Sequence, residues 1–138
     1  MGASLPKNYH PSEKEKFMGV RQVKYFYRKL TSWKEEILKE AQETLVHLQE
    51  ESLQESDIAD RASAETERSL ELRTRDRQRK LVAKIDEALR RIEDGTYGYC
   101  EETGEPISLS RLDARPIATL SIEAQERHER REKSYRDD

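Results

Sequence analysis

The chain has 138 residues, of which 40% are charged and 33% hydrophobic, and its formal net charge is -3. With a mean hydropathy of -1.09, it has too little apolar material to surround a large central core, and its composition is typical of long helices sharing a narrow apolar seam. The near balance of charge argues against a protein that coats nucleic acid, because such binding depends on uncompensated Lys and Arg side chains.

The sequence favours a cytoplasmic protein. Its single cysteine cannot form an intramolecular disulfide, so nothing indicates an oxidising compartment. Residues 1–16 lack the apolar run of a signal peptide, and no segment approaches the roughly 20 apolar residues that a membrane span requires. We therefore expect no association with a membrane.

A helical pattern follows an irregular segment at residues 1–17. No Gly or Pro interrupts residues 20–53, and apolar residues recur there at steps of three or four, as on one face of a helix. These residues are Val23, Phe26, Leu30, Trp33, Ile37, Ala41, Leu45 and Leu48. The pattern predicts a first helix about 50 Å long, at about 1.5 Å per residue.

A second helix is predicted from about Ala62 to Asp94. Its apolar stripe consists of Leu70, Leu81, Ile85, Ala88 and Ile92. Gly95 follows the last periodic residue, which is a common helix stop, and Asp60 or Ser56 can cap the start. Two such runs joined by a few residues should fold back on each other. We therefore expect a mainly α protein with a long antiparallel coiled-coil hairpin over residues 18–94, whose tip lies at residues 55–62.

Residues 95–138 should form a small globular module. Three of the five glycines lie in residues 95–106, which predicts tight turns or a small hairpin, and a polar helix should run from about Ser121 to Tyr135. The apolar cluster is expected to contain Tyr97, Tyr99, Ile107, Leu109, Leu112, Ile117, Leu120 and Ile122.

The second helix also carries a basic stripe. Its members follow one another at steps of four, three and four, so their side chains share a face: Arg73, Arg77, Lys80 and Lys84. Such a stripe suits a partner that bears phosphate. The alternative is a solvated face balanced by Glu and Asp, and charge alone favours that alternative.

Five blocks of the sequence form an ordered set: Phe17-Met18 with residues 26–33, Asp57-x-x-Asp60-Arg61-Ala62, residues 69–81, residues 98–104 and residues 111–116. Together and in this order they closely resemble the DksA family of bacterial transcription regulators. The resemblance implies a protein that binds RNA polymerase without binding DNA and inserts a coiled coil into the secondary channel. It further implies changes in promoter output, for example at ribosomal RNA promoters, usually together with guanosine tetraphosphate (ppGpp).

The resemblance assigns roles to two groups of residues. Asp57, Asp60 and Ala62 match the effector tip, with Arg61 as a neighbour; without the family, the two aspartates would be interpreted as turn and capping residues. The positions that surround ppGpp in the family, together with polymerase, are matched by Arg77, Leu81, Lys84 and Arg115. Gln125 stands where the family has a further basic residue, which predicts weaker or rearranged nucleotide binding.

The familiar form of the family carries a four-cysteine zinc site. The corresponding positions here are Cys100, Thr103, Ser121 and Ala124. Tetrahedral structural zinc needs four strong donors such as thiolate or imidazole, and the three histidines do not fall at finger spacing. We therefore expect no zinc and no other bound cofactor, a degenerate zinc-finger-like loop held by packing and hydrogen bonds, and a buried Cys100.

Catalytic motifs are missing from the sequence: it has no Gly-rich phosphate loop and no nucleophile with a matching His and acid. We expect a monomeric regulator rather than an enzyme. Two alternatives remain open. One is a secondary-channel factor of the transcript-cleavage type, and the other is a coiled-coil scaffold that does not bind polymerase.

Overall fold

The structure, a computed structural model, describes the backbone of residues 5–54 and 58–137, and their side chains except those of 48, 51–54, 58–61 and 135–137. It contains the helices α1 (Val20–Gln54), α2 (Ile58–Asp94), α3 (Leu109–Ala114) and α4 (Ile122–Asp137). The described residues form no strand, and one antiparallel bridge joins Tyr99 to Pro106. The predicted mainly α fold is confirmed.

The chain divides into two compact units. The terminal unit comprises Met1–Leu30 and Glu87–Asp138, and the central unit comprises Thr31–Asp86. The first part of α1 and the last part of α2 therefore belong to the terminal unit, together with α3 and α4. The division of the chain at residues 17 and 94 that the sequence suggests stays a prediction.

In the central unit, α1 and α2 run antiparallel. Contacts between the two helices include Lys34–Asp86 at 2.6 Å, Glu40–Gln78 at 3.5 Å and His47–Glu71 at 3.2 Å. As the residue number of the partner on α1 increases, that of the partner on α2 decreases, as a folded-back hairpin requires. The predicted helical hairpin is thus confirmed.

The α1 stripe faces inward as predicted. Phe26 and Leu30 are fully buried and Ile37 is 6% exposed, while the other stripe residues with described side chains are half-buried. In α2, Ile85 and Ala88 are buried. The periodic apolar pattern therefore identifies the inner face of α1 along the described part of the helix.

The prediction for Leu70 was wrong, because this side chain is 55% exposed. The inner face of α2 continues from Ile85 in steps of seven residues, and these steps reach Gln78 and Glu71 rather than Leu70. Gln78 Oε1 and Glu71 Oε2 are both buried without a hydrogen-bond partner among the described residues. Polar side chains thus occupy positions of the seam, and Leu70 lies one residue to the side of it.

Helix α2 also begins earlier than predicted. It starts at Ile58, so Asp60 lies inside its first turn and does not cap it. Ser56, the other predicted cap, lies outside the described residues. The predicted end of α2 is confirmed, because the helix stops at Asp94 and Gly95 follows with a φ of 79°. A glycine takes this left-handed conformation without the steric cost of a Cβ atom.

The terminal unit has an aromatic core. Phe26 packs against Tyr97 with 5.6 Å between ring centroids, and Tyr97 donates a hydrogen bond of 2.8 Å to the Pro116 carbonyl. Ile107 and Leu112 of the same unit are also fully buried. These contacts bring the segment after α2 into one core with the beginning of α1.

Two features of residues 95–138 differ from the prediction. Ile122, the first residue of α4, is 49% exposed, and among the described side chains of that helix it is Ala124 that is buried. Helix α3 was not predicted at all. Ser108 caps it by accepting a 3.3 Å hydrogen bond from the Arg111 amide. The loop at residues 95–106 forms tight turns with the single bridge, and the predicted terminal helix is present as α4.

None of the helices in the described part of the chain is both long enough and apolar enough to cross a bilayer.

Candidate functional site

The predicted effector tip lies at the start of α2. Ala62 is exposed on the helix surface. Asp60 belongs to the first helical turn, while its side chain and the whole of Asp57 lie outside the described residues. A carboxylate in the first turn of a helix is favoured by the helix dipole. The assignment of Asp57, Asp60 and Ala62 to an effector tip stays a prediction.

The basic stripe of α2 is exposed and only partly neutralised. Asp76 pairs with Lys80 at 3.2 Å and with Arg79 at 2.7 Å, and hydrogen bonds from Lys80 first and Arg79 second lower the pKa of Asp76. By contrast, Arg73 and Lys84 have no ion-pair partner among the described residues. The stripe therefore includes exposed cationic groups without an ion pair in the described part of the chain, and its role in binding phosphate stays a prediction.

Three residues of the predicted nucleotide site lie in the central unit, and two of them, Arg77 and Lys84, are members of the stripe. Arg77 is exposed, and its guanidinium donates a long hydrogen bond of 3.5 Å to Thr74 Oγ1. Leu81 is half-buried. One helix thus presents Arg77, Leu81 and Lys84 at steps of four and three residues, so they share one face of α2.

Arg115 and Gln125 belong to the terminal unit. Arg115 is the exposed C-cap residue of α3, and its amide donates a 2.7 Å hydrogen bond to the Arg111 carbonyl. Gln125 is half-buried on α4 and donates a hydrogen bond of 3.3 Å to Glu129. The grouping of Arg115 with Arg77, Leu81 and Lys84 around one nucleotide stays a prediction.

The four positions of the degenerate zinc site lie in one hydrogen-bonded cluster. Thr103 donates a side-chain hydrogen bond to Cys100, and the backbone amides of Ser121, Thr103 and Glu102 also donate to its sulfur. Ser121 Oγ accepts a 3.2 Å hydrogen bond from the Ala124 amide. Cys100 and Ala124 are 2% and 0% exposed. Cys100 is therefore a buried residue, as predicted.

The electrostatics of this cluster favour a thiolate. Burial alone would raise the pKa of Cys100, but the hydrogen bonds from Thr103 and from the three backbone amides outweigh it and lower the pKa to about 6. Hydrogen bonds to the charged form of a group are the physical cause of such a shift. The peptide amides thus supply some of the stabilisation that a cation gives to a metal-bound thiolate.

The donor set of the cluster does not fit a four-cysteine zinc site. Cys100 is the only thiol in the chain, Thr103 and Ser121 offer hydroxyl groups, and Ala124 offers no side-chain donor. Structural zinc sites use four strong ligands. No group of three or more His, Cys, Asp or Glu side chains within the described ranges could hold a metal ion.

A polar cluster on the terminal unit was not identified from the sequence. Asp113 Oδ1 accepts hydrogen bonds from Tyr25 Oη at 2.5 Å and from Lys29 Nζ at 2.7 Å. Burial first, and then the bond to Asp113, raises the pKa of Tyr25 to about 12. Partial burial opposes the ionisation of Asp113, but Lys29 and Tyr25 lower its pKa overall. The only sequence signal was that Asp113 lies within residues 111–116, one of the blocks that resemble the family.

The segment before α1 is attached by a buried glutamine that the sequence did not single out. Gln22 is 1% exposed; its Oε1 accepts a 2.9 Å hydrogen bond from the Met18 amide, and its Nε2 donates a 3.0 Å bond to the Ser12 carbonyl. Met18 in turn covers Gly98, where an added Cβ would approach the Met18 side chain to 3.1 Å. Residues 12–18 are therefore an ordered part of the terminal unit.

Family models match both halves of this arrangement. The model described as "DnaK suppressor protein DksA, N-terminal domain" matches residues 22–92. The model described as "Prokaryotic dksA/traR C4-type zinc finger" matches residues 95–130. The second match covers the cluster around Cys100, so the chain retains the pattern of the finger while three of its four metal-binding positions differ.

Individual relatives agree with the family models. The RNA polymerase-binding transcription factor DksA of Caulobacter vibrioides is 69% identical over 131 residues, covering 95% of this chain and 92% of that protein. The protein of the same name from Escherichia coli is 42% identical over 125 residues, covering 91% and 83%. The solved structure of transcription factor DksA2 from Pseudomonas aeruginosa matches with a TM-score of 0.80 and 44% identity, covering 85% of this chain and 90% of that one.

Proposed function

The chain belongs to the DksA family, and on that premise we propose that it is a regulator that binds RNA polymerase directly and modulates transcription initiation. The observation that carries this proposal is the 69% identity, over 95% of the chain, to a protein named for binding RNA polymerase. The predicted tip, the nucleotide-site residues and the finger pattern all fall within the matched residues 22–92 and 95–130. The proposed role is that of a non-catalytic, cytoplasmic monomer that does not bind DNA.

In the proposed mechanism, the hairpin enters the secondary channel of the polymerase and carries the start of α2 toward the catalytic centre. Asp57 and Asp60 would there act on the catalytic magnesium, on basic side chains or on bound water, since charges interact strongly at short range in a partly desolvated channel. Ala62 would permit close approach because its side chain is small. The result would be a change in the stability of promoter complexes, for example at ribosomal RNA promoters.

The test is a comparison of binding with promoter output. The Asp60→Asn variant should bind core polymerase nearly as tightly as the wild type and lose the effect on a ribosomal promoter. Loss of binding would instead make Asp60 an anchor. A wild-type chain that fails to bind polymerase at low salt would favour the scaffold, and stimulated cleavage of RNA in a backtracked complex would favour a transcript-cleavage factor.

Nucleotide dependence forms a second part of the proposal. Arg77 and Lys84 would contact the phosphates of ppGpp, with Leu81 and Arg115 completing a site that also includes polymerase. Arginine can fork onto phosphate and lysine acts as a point charge. The double substitution of Arg77 and Lys84 to Ala should remove ppGpp synergy without unfolding the hairpin. An unchanged response would contradict this assignment.

We further propose that the module around Cys100 folds without zinc. The single thiol accepts hydrogen bonds from amide and hydroxyl donors, and Ala124, which by resemblance takes a ligand position of the family, is fully buried. Metal analysis of untagged protein should find no stoichiometric zinc. A matched positive control is the triple substitution of Thr103, Ser121 and Ala124 to Cys, which should bind one zinc ion per chain. Stoichiometric zinc in the wild type would overturn the proposal.

A further inference from the structure

The exposed cation of Arg115 begins from an anchored segment of backbone. Arg115 is the C-cap residue of α3, and its amide donates a 2.7 Å hydrogen bond to the Arg111 carbonyl. The next residue, Pro116, is buried, and its carbonyl accepts a 2.8 Å hydrogen bond from Tyr97 Oη. The main chain at and directly after Arg115 therefore has fixed partners within the terminal unit.

On the N-terminal side of Arg115, three hydrogen bonds attach Asp113 to α1. Asp113 Oδ1 accepts one from Tyr25 Oη at 2.5 Å and one from Lys29 Nζ at 2.7 Å. Lys29 Nζ also donates to the main-chain carbonyl of Asp113 at 2.6 Å. That carbonyl lies in the last turn of α3, where carbonyls lack a partner within the helix. We call Tyr25, Lys29 and Asp113 the Asp113 cluster.

Helix α3 depends on such attachments, because it has only six residues. Isolated helices shorter than roughly 12 residues are not stable in water. Leu112 is the buried side chain of α3, and Arg111 Nε donates a 3.0 Å hydrogen bond to the Leu120 carbonyl, a short distance along the same segment of chain. The Asp113 cluster attaches α3 to the long helix α1 instead, two residues before Arg115. It thereby ties the position of Arg115 to a regular element of the fold.

The Asp113 cluster also occupies the carboxylate nearest to Arg115 in sequence. Asp113 accepts its hydrogen bonds from Tyr25 and Lys29, and Arg115 has no ion-pair partner among the described residues. An arginine with five donors and no carboxylate partner can present a planar fork to a phosphate group. Arg115 is thus both anchored through its backbone and unpaired at its guanidinium.

We propose that Asp113 is a positioning residue of the nucleotide site, because the Asp113 cluster fixes the backbone from which Arg115 meets a phosphate group of ppGpp. The inference rests on the proposed function, since Arg115 belongs to the proposed nucleotide site. An anchored backbone lowers the cost of ordering the side chain on binding. Loss of the anchor therefore weakens the nucleotide response and leaves the contact with polymerase unchanged.

Asp113→Ala is a sharp test, because positioning and simple electrostatics predict opposite results. If charge alone mattered, removal of a carboxylate close to Arg115 would strengthen the binding of an anion. Loss of the anchor weakens it instead. The measured quantity is the ppGpp concentration that gives half of the maximal effect on a ribosomal promoter, with the protein saturating. We expect this concentration to rise about fivefold.

Asp86→Ala is the matched control. It breaks the Lys34–Asp86 pair of the central unit, whose length of 2.6 Å is close to the 2.7 Å of the pair in the Asp113 cluster. The half-maximal ppGpp concentration should stay within about twofold of the wild type, because such exposed pairs contribute little. Circular dichroism should show the same helix content for Asp86→Ala and Asp113→Ala, and both should bind core polymerase like the wild type when ppGpp is absent.

Two further variants separate positioning from a general structural effect. Tyr25→Phe removes one hydrogen bond to Asp113 without changing any charge, and it should raise the half-maximal ppGpp concentration by about twofold. Asp113→Ala in an Arg115→Ala background should cause no further increase, because a residue that acts through Arg115 has no effect once that side chain is missing.

The outcomes separate this inference from the proposed function. If Arg115→Ala weakens the nucleotide response and Asp113→Ala does not, the positioning role is overturned and the proposed nucleotide site stands. If Asp113→Ala has the same effect with and without the Arg115 side chain, or weakens polymerase binding in the absence of ppGpp, its role is structural and the inference is overturned. If the wild type does not respond to ppGpp, or Arg115→Ala responds like the wild type, the assignment of Arg115 to a nucleotide site falls together with the inference.

Discussion

The terminal unit and the central unit hold their parts of α1 and α2 together by different means. In the terminal unit, Phe26 and Tyr97 form an aromatic core with fully buried aliphatic side chains. In the central unit, cross-helix contacts include ion pairs and a long polar hydrogen bond, and leucines remain half-exposed. The same two helices are therefore fixed by core packing at one end and by a narrow, partly polar seam in the middle.

This difference shows how a chain with few apolar residues distributes them between its two units. Buried aromatic and aliphatic side chains dominate stability, and they are concentrated where the chain must hold its non-helical segments. A polar seam contributes less to stability and leaves apolar side chains available for a partner. Four experiments can break or sharpen this comparison.

The largest effect is expected for Phe26→Ala. The ring is fully buried against Tyr97, and its removal leaves a cavity, so the free energy of unfolding should fall by about 3–5 kcal/mol. Leu70→Ala in the central unit is the control, with an expected change within about 0.5 kcal/mol because the side chain is 55% exposed. Urea unfolding followed by circular dichroism measures both. Equal losses would remove the distinction between the two units.

The next largest effect is the contribution of the Cys100 thiol to the free energy of unfolding, which depends on pH. Its pKa is about 6 in the native state, whereas an unfolded cysteine has a pKa of about 8.5. Between these values the unfolded state binds more protons, so stability should rise with pH, and this contribution is lost as pH falls through the native pKa.

Cys100→Ser isolates this contribution. The free energy of unfolding of the wild type, relative to that of the variant, should increase by on the order of 2 kcal/mol between about pH 6 and about pH 8.5. Unfolding curves with a reductant and a chelator present would measure the difference. Thr103→Val, which removes one hydrogen bond to the sulfur, should show a smaller rise. Parallel curves for wild type and Cys100→Ser would show that the native thiol is not stabilised as a thiolate.

A smaller effect is expected for Asp113→Asn in the terminal unit. Its carboxylate accepts hydrogen bonds from Tyr25 and Lys29 and is about 42% exposed, so solvent screening limits the expected loss to about 1 kcal/mol at neutral pH. Because the native pKa is lowered, the loss should begin to shrink as pH falls below about 3.9, where the unfolded chain takes up a proton, and should disappear only below the native pKa, where the carboxyl is protonated in both states. A loss that persists in acid would indicate a steric effect of the amide.

The sequence was sufficient for α1, for the end of α2 and for α4, but not for α3 or for which face of α2 lies inward. The apolar period of residues 20–53 and the stop at Gly95 predicted α1 and the end of α2, because both signals are local. The inner face of α2 was misjudged at Leu70, since Glu71 and Gln78 occupy seam positions that a search for apolar residues passes over. A groove between α1 and α2 that is lined by Leu38 and Leu72 was missed for the same reason, since these leucines lie beside the stripes and not within them.

The chemistry of the candidate site was predictable only where it depends on residue identity. The loss of three metal ligands is visible in the sequence, and so is the basic stripe. The lowered pKa of Cys100 is not visible there, because it arises from the Thr103 hydroxyl and from the backbone amides of residues 121, 103 and 102 that the fold brings together. The contact between Asp113 and Tyr25 joins residues 88 positions apart, and no local pattern encodes it.

The smallest effects are expected for two ion pairs, and they allow the closest comparison between the units. Each unit has a Lys–Asp pair with a similar distance between nitrogen and oxygen. Lys34–Asp86 in the central unit measures 2.6 Å, and Lys29–Asp113 in the terminal unit measures 2.7 Å, with similar exposure. A double-mutant cycle on Lys34 and Asp86 should give a coupling of about 0.2–1 kcal/mol that decreases as salt is added. The cycle on Lys29 and Asp113 should give a larger coupling that is less sensitive to salt, since Tyr25 also donates to that carboxylate and Lys29 also donates to the Asp113 carbonyl. Equal couplings would mean that ion pairs contribute alike in both units, so that apolar packing alone would account for the difference between them.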